Sequence, residues 1–433
     1  MASTLILTPS SSPDGAMYFA KNSNRAPNEC QLVVSLPAVK NDPMTLVKCS
    51  HITIPQARQR FGILLSKPWW SWGGEMGMND QGVVIGSEAI FTRDHESEPG
   101  LIGMDLVRLG LERGNSAEEA IDVITALLQK YGQGGTCTRR STSAGYDNSF
   151  IVADATEAWI VETAGRHWAA NRLTDQAVLS PSLILATNID RHSYALPQYA
   201  RRKGWLGEQE QLDFRKIFHR RMLPLSGSSH QSRATLLEGL TQLDRKHVLF
   251  DLMQLLRRRK MTHPRAWSRR DVTLQAGGLF RRVQTTGSMV VRLTSKRRDA
   301  FFTATSAPEF SIFKPVHFNQ PLEEDLQGED LSQYHERSLW WRHEVFHRHM
   351  LLAAKFDVTY LQEREDLEKN ILVDVMSHKG RELIKIRGQL QQHLLLWEQG
   401  WRERVSSRKI SPFILRPSTY YWHRLSRIDG LEL

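Results

Sequence analysis

The sequence predicts an α+β fold with a helical region at its C-terminal end. Short apolar runs separated by turn signals fill most of the chain before residue 310, and beyond about residue 330 the apolar residues recur at helical spacing. A chain of 433 residues with 40% hydrophobic side chains also has ample material for a large core.

Nine runs have the length and the β-branched content of strands. The first two are separated by Pro13-Asp14-Gly15, and residues 154–157 form a plausible hairpin turn between two later ones. The nine are residues 5–7, 16–20, 31–36, 60–65, 83–85, 149–153, 158–162, 285–293 and 300–305.

Helical spacing appears in two parts of the chain. Apolar residues recur at three- and four-residue steps over residues 104–128, where Ser116 and Glu119 form a capping pair and the glycines of residues 132–135 end the element. A second apolar stripe follows residues 371–395 on a charged rod. Such a stripe is typical of a packing face or an oligomer contact, so a homodimer is plausible.

The positive charge of the chain is local. Residues 251–300 hold 13 lysines and arginines against three acidic residues, an excess that equals the whole net charge of +10. These basic clusters lack interleaved aromatic residues and any nucleic-acid-binding motif, which argues against nucleic acid as a partner. A solvated face or an acidic partner is the expectation.

The cysteines and the hydropathy pattern indicate the setting of the protein. Cys30, Cys49 and Cys137 are too few for a disulfide scaffold and show no zinc spacing, which fits a reducing, cytoplasmic environment. No run of 18 apolar residues exists, and the first residues lack the basic start and long apolar run of a signal peptide. We therefore expect no membrane association, and no cofactor is indicated.

Residues 343–347 match the HExxH pattern of zinc metallopeptidases. On a helix His343 and His347 share a face, and Glu344 could serve as general base. Only Glu363 or Glu365 could supply a third ligand, and the surrounding residues are polar and bulky. An ordinary polar helix is the competing interpretation, so the zinc peptidase is an alternative and no metal ligand is assigned.

Several motifs occur in the same order as in a known family. Together they resemble the secernins and their bacterial dipeptidase relatives over roughly residues 4–345. The motifs are residues 21–27, 69–83, 87–89, 103–113, 131–135, 157–170 and 303–315.

This resemblance implies a four-layer αββα sandwich of the N-terminal nucleophile (Ntn) hydrolase type over residues 1–340, with residues 341–433 as a C-terminal helical extension. It also implies a dipeptidase that hydrolyses the peptide or amide bond of a small peptide substrate. A catalytically silent binding or regulatory protein, with a role in secretion as the secernin name suggests, is a further alternative.

The nucleophile of such an enzyme must be the first residue of the mature chain. Its own α-amino group, with a pKa of about 7.7 to 8.0, then serves as the base. The family uses a cysteine, but this sequence has none before Cys30. The spacing of the secernins, seventeen residues before Lys21, falls on Thr4, and that of more distant dipeptidases falls on Ala2. Threonine can replace cysteine in this fold class, and release of residues 1–3 would expose Thr4.

The resemblance also implies roles for other side chains. Lys21 lies where related hydrolases carry an arginine near the nucleophile, and Asn79 resembles their oxyanion-hole asparagine. Asn24 lies where many carry an aspartate that contacts the α-amino group. The predicted catalytic residues are therefore Thr4, Lys21 and Asn79, and the predicted substrate-binding residues are Asn24, Arg25 and Asn148.

Overall fold

The computed structural model covers the whole chain and describes most of it. The described residues are 3–95, 98–139, 145–220, 226–244, 246–259, 271–278, 281–318, 320–353, 358–408, 410 and 417–431.

Eighteen strands and ten helices are found in these residues. The strands are β1 (Ser3–Leu7), β2 (Met17–Arg25), β3 (Gln31–Leu36), β4 (Val39–Lys40), β5 (Leu46–Lys48), β6 (Thr53–Pro55), β7 (Gln59–Arg60), β8 (Ile63–Pro68), β9 (Met76–Asn79), β10 (Val84–Ile90), β11 (Asp147–Ala153), β12 (Ala158–Ala164), β13 (His167–Leu173), β14 (Ala177–Leu179), β15 (Arg191–His192), β16 (Gln284–Thr294), β17 (Arg297–Phe302) and β18 (Lys314–Val316). The helices are α1 (Gly103–Arg113), α2 (Ala117–Tyr131), α3 (Leu196–Arg202), α4 (Phe214–Phe218), α5 (Ser226–Leu240), α6 (Val248–Leu256), α7 (Leu339–Leu352), α8 (Val358–Ser377), α9 (Gly380–Ser406) and α10 (Pro417–Ile428).

Two large sheets form the centre of the fold. The first has six strands in the order β14-β1-β2-β16-β17-β18, and the second has eight in the order β15-β13-β12-β11-β10-β9-β8-β3. Side chains alternate across each strand, so each sheet has one face toward the other sheet and one toward helices. Ile6 and Phe19 of the first sheet meet Leu64, Val84 and Ile151 of the second in a shared core.

Helices cover the outer face of each sheet. Leu106 and Ile121, from α1 and α2, share a core with Ile85 and Phe150 of the eight-stranded sheet. On the other side, Leu252 of α6, Ile371 of α8 and Leu394 of α9 pack with Leu5 and Val290 of the six-stranded sheet. The four layers therefore follow the predicted αββα order of an Ntn-hydrolase sandwich.

The local signals in the sequence explain most of the elements. The turn before β2 contains Gly15 with a φ of +68°, a conformation that glycine adopts without strain. Ser116 caps α2 by accepting a hydrogen bond from the backbone N–H of Glu119 at 3.2 Å, and Gly132 ends that helix with a φ of +77°. The predicted strand at residues 60–65 is shifted, because β8 begins at Ile63.

The helices after residue 338 are packed against the sandwich. Trp340 and Trp341 at the start of α7 are fully buried in the core beneath the eight-stranded sheet, and Ile371, Val375 and Leu394 lie in the core of the opposite outer layer. The apolar stripe at residues 371–395 is therefore largely used within the chain. The division near residue 340 and the homodimer stay predictions.

No helix among the described residues is both long enough and apolar enough to cross a membrane.

Candidate active site

A large cavity opens at one end of the sandwich. Its volume is ≈ 1230 Å³, which is large enough for a small peptide. Lysine and arginine side chains outnumber carboxylates on its wall. The basic residues are Arg25, Arg93, Arg139, Arg215, Lys216, Arg220 and Arg282, and the acidic ones are Glu29, Glu75, Glu88 and Asp213. Aromatic side chains line it as well, and two of them support cations: Arg93 lies over Trp205 and Arg139 over Trp69.

The structure brings Thr4 and Lys21 together. They are partners in the register between β1 and β2, and both side chains face the space between the sheets. Glu88 reaches them from β10 of the opposite sheet. Its Oε1 accepts a hydrogen bond from Thr4 Oγ1 at 2.6 Å and another from Lys21 Nζ at 2.8 Å. The result is a buried cluster of a hydroxyl, an ammonium and a carboxylate.

All three side chains of this cluster are buried. Glu88 also borders the cavity, whereas Thr4 and Lys21 are not among its wall residues. Ser3 precedes Thr4 on β1 and pairs with Asn22 of β2. Along β2, Asn22 is one position closer than Lys21 to Asn24 and Arg25, which line the cavity. Ser3 therefore lies on the side of Thr4 that faces the cavity end of the sheet. Met1 and Ala2, which the predicted leader also includes, lie outside the described residues.

Glu88 is a functional candidate that the sequence interpretation did not single out. Its second oxygen, Oε2, is buried and has no hydrogen-bond partner among the described residues. Burial raises the pKa of Glu88 above its ordinary value, and the opposing effects of Lys21 and Thr4 do not cancel that shift. The available signal was a carboxylate inside an otherwise uncharged strand, Val-Ile-Gly-Ser-Glu-Ala-Ile. Such a residue is seldom fully buried without a role.

Asn24 and Arg25 lie on the cavity wall, but both already have partners. Thr285 Oγ1 donates a hydrogen bond to Asn24 Oδ1 at 2.6 Å. The guanidinium of Arg25 donates to Glu29 at 2.6 Å, to Glu75 at 2.8 Å and to the carbonyl of Cys137 at 2.7 Å. Arg25 therefore organises the carboxylates of the wall.

Asn148 has an unused donor. It lies at the start of β11 on the cavity wall, and its Nδ2 is buried without a hydrogen-bond partner in the part of the chain that the structure describes. A buried amide donor without a partner is costly, and a ligand that accepts its hydrogen bond would remove that cost. This arrangement is compatible with the predicted contact to substrate.

Asn79 lies apart from the other candidates. It ends β9, it is not among the wall residues of the cavity, and its side chain is saturated. Nδ2 donates to the carbonyls of Leu111 and Gly114 at 2.9 and 2.7 Å, and Oδ1 accepts from the backbone N–H groups of Gln81 and Val83 at 3.1 and 2.9 Å. This geometry favours a role in the turn and leaves no free donor for an oxyanion.

The cysteines do not offer a substitute nucleophile. All three are buried and unpaired as disulfides. Burial raises the pKa of Cys49 to about 12 and that of Cys137 to about 11, and it raises the pKa of Cys30 well above its ordinary value. A thiol becomes a good nucleophile when its pKa is lowered, so these side chains are unsuited to the task.

The HExxH residues lie on α7 and are buried, contrary to the polar helix expected from the sequence. Glu344 accepts a hydrogen bond from Arg348 Nε at 2.8 Å, and Arg348 also binds Asp429 at 2.8 Å. Burial, with His347 alongside, lowers the pKa of His343 to about 3. No group of three or more potential ligands that could hold a metal occurs among the described residues. Glu344 and His347 belong to a buried ion-pair network and His343 contacts Ser311, so these side chains do not fit a zinc site.

The basic segment at residues 251–300 is divided among different environments. Arg257 is buried and donates to Glu368 at 2.7 Å, and Arg297 donates to Asp299 at 2.6 Å. Arg282 lies on the cavity wall. Lys260, Arg269 and Arg270 lie outside the described residues. The described part therefore does not form one continuous basic surface.

Solved structures of three hydrolases are similar to this chain at low sequence identity. Penicillin V acylase from Agrobacterium tumefaciens is 12% identical over 73% of this chain and 86% of its own, with a TM-score of 0.45. A variant of conjugated bile acid hydrolase from Clostridium perfringens is 11% identical over 75% and 94%, with a TM-score of 0.45. An N-acylethanolamine-hydrolyzing acid amidase orthologue from Caenorhabditis elegans is 10% identical over 66% and 91%, with a TM-score of 0.33. All three TM-scores are below 0.5. We therefore assign the fold from the order of its four layers and not from these similarities.

The family comparison is more direct. Residues 47–218 match the family model of Peptidase family C69. The matched segment includes β8 to β13 with α1 and α2, and it contributes Glu88 and Asn148 to the cavity wall. It supports a hydrolase of peptide or amide bonds. The resemblance drawn from the sequence motifs is thus confirmed over residues 47–218, the segment that matches peptidase family C69.

Proposed function

We propose that this protein is a dipeptidase that hydrolyses small peptides with Thr4 as its nucleophile. The observation that carries the proposal is the hydrogen-bonded cluster of Thr4, Lys21 and Glu88 beside a cavity of ≈ 1230 Å³. The family match supports the reaction class, and the excess of cationic side chains on the wall fits a substrate with a free carboxylate.

Release of the residues before Thr4 is part of the proposal. Ser3 continues β1 toward the cavity end of the sheet, so its removal would open the approach to the Thr4 hydroxyl. Lys21, held within 2.8 Å of Glu88, would stabilise negative charge next to the nucleophile. Asn148 would donate a hydrogen bond to the bound peptide.

The test combines the mature N-terminus with turnover. The intact mass of the purified protein defines its first residue, and a panel of dipeptides is then assayed by mass spectrometry for free amino acids. We expect a chain that begins at Thr4, hydrolysis of several dipeptides, retention of activity in Thr4→Ser and its loss in Thr4→Ala. A folded Thr4→Ala variant with unchanged turnover would contradict the proposal. Absence of turnover in the wild type would favour the catalytically silent binding protein.

A further inference from the structure

We propose that Glu88 is the proton acceptor for the Thr4 hydroxyl. This inference rests on the proposed function, because it assigns a further catalytic residue to the same site.

The contact between the two side chains is direct. Thr4 Oγ1 lies 2.6 Å from Glu88 Oε1, which is the distance and the donor–acceptor pairing that proton transfer requires. The hydroxyl lies on β1 of one sheet and the carboxylate on β10 of the other. Because both strands are interior members of their sheets, the contact is held by two rigid elements.

Lys21 completes the arrangement. Its ammonium binds the same carboxylate oxygen at 2.8 Å, and both side chains are fully buried. It therefore offsets part of the cost of placing a carboxylate in the interior, and it keeps Glu88 oriented toward Thr4. Asn24 lies where related hydrolases carry an aspartate that contacts the α-amino group. Its side chain is neutral and accepts a hydrogen bond from Thr285.

Glu88 also connects the buried hydroxyl with the cavity. It is on the wall while Thr4 lies behind it, and its Oε2 has no hydrogen-bond partner among the residues the structure describes. One oxygen is thus occupied by the nucleophile and its cation, and the other is a buried acceptor with unused capacity.

The reaction balances with water as the only co-reactant. Thr4 Oγ bonds to the substrate carbonyl carbon as its proton passes to Glu88, and the carbonyl electron pair moves onto oxygen. On collapse the C–N bond breaks, and the proton on Glu88 passes to the leaving amine, which leaves an ester on Thr4. Water then gives its proton to Glu88 and its hydroxide to the ester. The acid is released and the proton returns to Thr4 Oγ.

The test compares two isosteric substitutions of buried carboxylates that face the space between the sheets. Glu88→Gln removes the proposed acceptor, whereas Glu162→Gln on β12 is a matched control outside the cavity wall. In the full-length chain, with its first residue defined by intact mass, we expect Glu88→Gln to lower kcat by about two to four orders of magnitude. Glu162→Gln should retain wild-type kcat. Glu88→Asp, which keeps a shorter carboxylate, should fall between them.

A second readout separates this inference from the proposed function. Acylation of Thr4 by a β-lactone, followed by intact mass and peptide mapping, reports the reactivity of the hydroxyl without any peptide turnover. We expect Thr4 to be labelled in the wild type and to be labelled at least about a hundredfold more slowly in folded Glu88→Gln. This result supports the role of Glu88 even if no dipeptide is cleaved. Equal labelling of the two, equal kcat values, or a wild-type Thr4 that does not react would overturn it.

Discussion

At the scale of single residues, the two asparagines predicted for the site differ in what their side chains already bind. Asn79 uses both amide hydrogens and its oxygen within the turn after β9, whereas Nδ2 of Asn148 has no partner among the described residues. Substitution by alanine should therefore mainly affect stability at Asn79 and mainly affect substrate binding at Asn148.

Asn79→Ala should mainly affect stability. It leaves the carbonyls of Leu111 and Gly114 and two backbone N–H groups without their partners, so we expect the free energy of unfolding in urea to fall by about 2–3 kcal/mol. The kcat of the folded protein should change little. A loss of two or three orders of magnitude in kcat at unchanged stability would restore Asn79 as the oxyanion donor.

Asn148→Ala should mainly affect substrate binding. Because Nδ2 bonds to no described residue, the free energy of unfolding should be nearly unchanged. Loss of one hydrogen bond to the substrate should raise KM about threefold to tenfold, which corresponds to roughly 1 kcal/mol. Steady-state kinetics beside urea unfolding checks this, and a variant with wild-type KM would show that the donor does not meet the substrate.

Glu162 should make stability depend on pH. Burial raises its pKa from 4.5 to about 7, so between these values the folded chain keeps a proton that the unfolded chain releases. The free energy of unfolding should consequently decrease as pH rises through this window, by about 3 kcal/mol at most. Urea unfolding at pH 5 and pH 8 should show a smaller decrease in Glu162→Gln than in the wild type. The exposed Glu118→Gln should behave like the wild type, and equal slopes in all three would contradict the assignment.

At the scale of elements, α7 shows how a catalytic-looking motif can be structural. Glu344, Arg348 and Asp429 form a buried chain of ion pairs that joins α7 to the residues after α10. Breaking such a chain leaves charges without partners in the interior, and this costs more than the chain itself contributes.

Arg348→Met should therefore strongly destabilise the protein. We expect the free energy of unfolding to fall by about 3–5 kcal/mol, because the buried carboxylates Glu344 and Asp429 both lose the guanidinium that pairs with them. The control is Arg337→Met, which removes a half-exposed ion pair with Glu329 and should cost less than about 1 kcal/mol. A thermal unfolding series on the two variants compares them directly. Equal, small losses would show that the buried chain is dispensable.

The same scale shows what the sequence could predict. The spacing of apolar residues and the turn residues located the β1–β2 turn at Gly15 and the cap of α2 at Ser116. Both features depend on residues that are neighbours in sequence. The spacing of the resembling motifs selected Thr4 as the candidate nucleophile, and the structure pairs it with Lys21 across β1 and β2. Glu88 was missed because it meets Thr4 only through the packing of two sheets, 84 positions away. The role of Asn79 could not be decided from the sequence, because a saturated turn amide and an oxyanion donor have the same local sequence.

At the scale of the whole molecule, the C-terminal helices complete the sandwich. Trp340 and Trp341 have no exposed surface, and Arg348 Nη2 donates to the carbonyl of Pro27 in the N-terminal part of the chain. Fully burying an aromatic side chain stabilises a protein by roughly 2–3 kcal/mol, so the two tryptophans alone contribute an amount comparable to the lower end of the usual stability of about 5–15 kcal/mol.

A chain that ends at residue 338 should therefore fail to fold cooperatively. We expect aggregation, or a broad thermal transition in calorimetry, and recovery of a sharp transition when residues 339–433 are co-expressed as a second fragment. A truncated chain with a single cooperative transition near the wild-type Tm would show that residues 1–338 form an independent domain.

The central claim is that a peptide bond is cleaved through an ester on Thr4, and trapping that ester tests it most directly. A dipeptide substrate is mixed with the enzyme, the reaction is quenched in acid during turnover, and the adduct is located by peptide mapping. The account predicts an added acyl mass on Thr4 that is absent from Thr4→Ala. An adduct on another residue, or hydrolysis with no adduct and no dependence on Thr4, would contradict it.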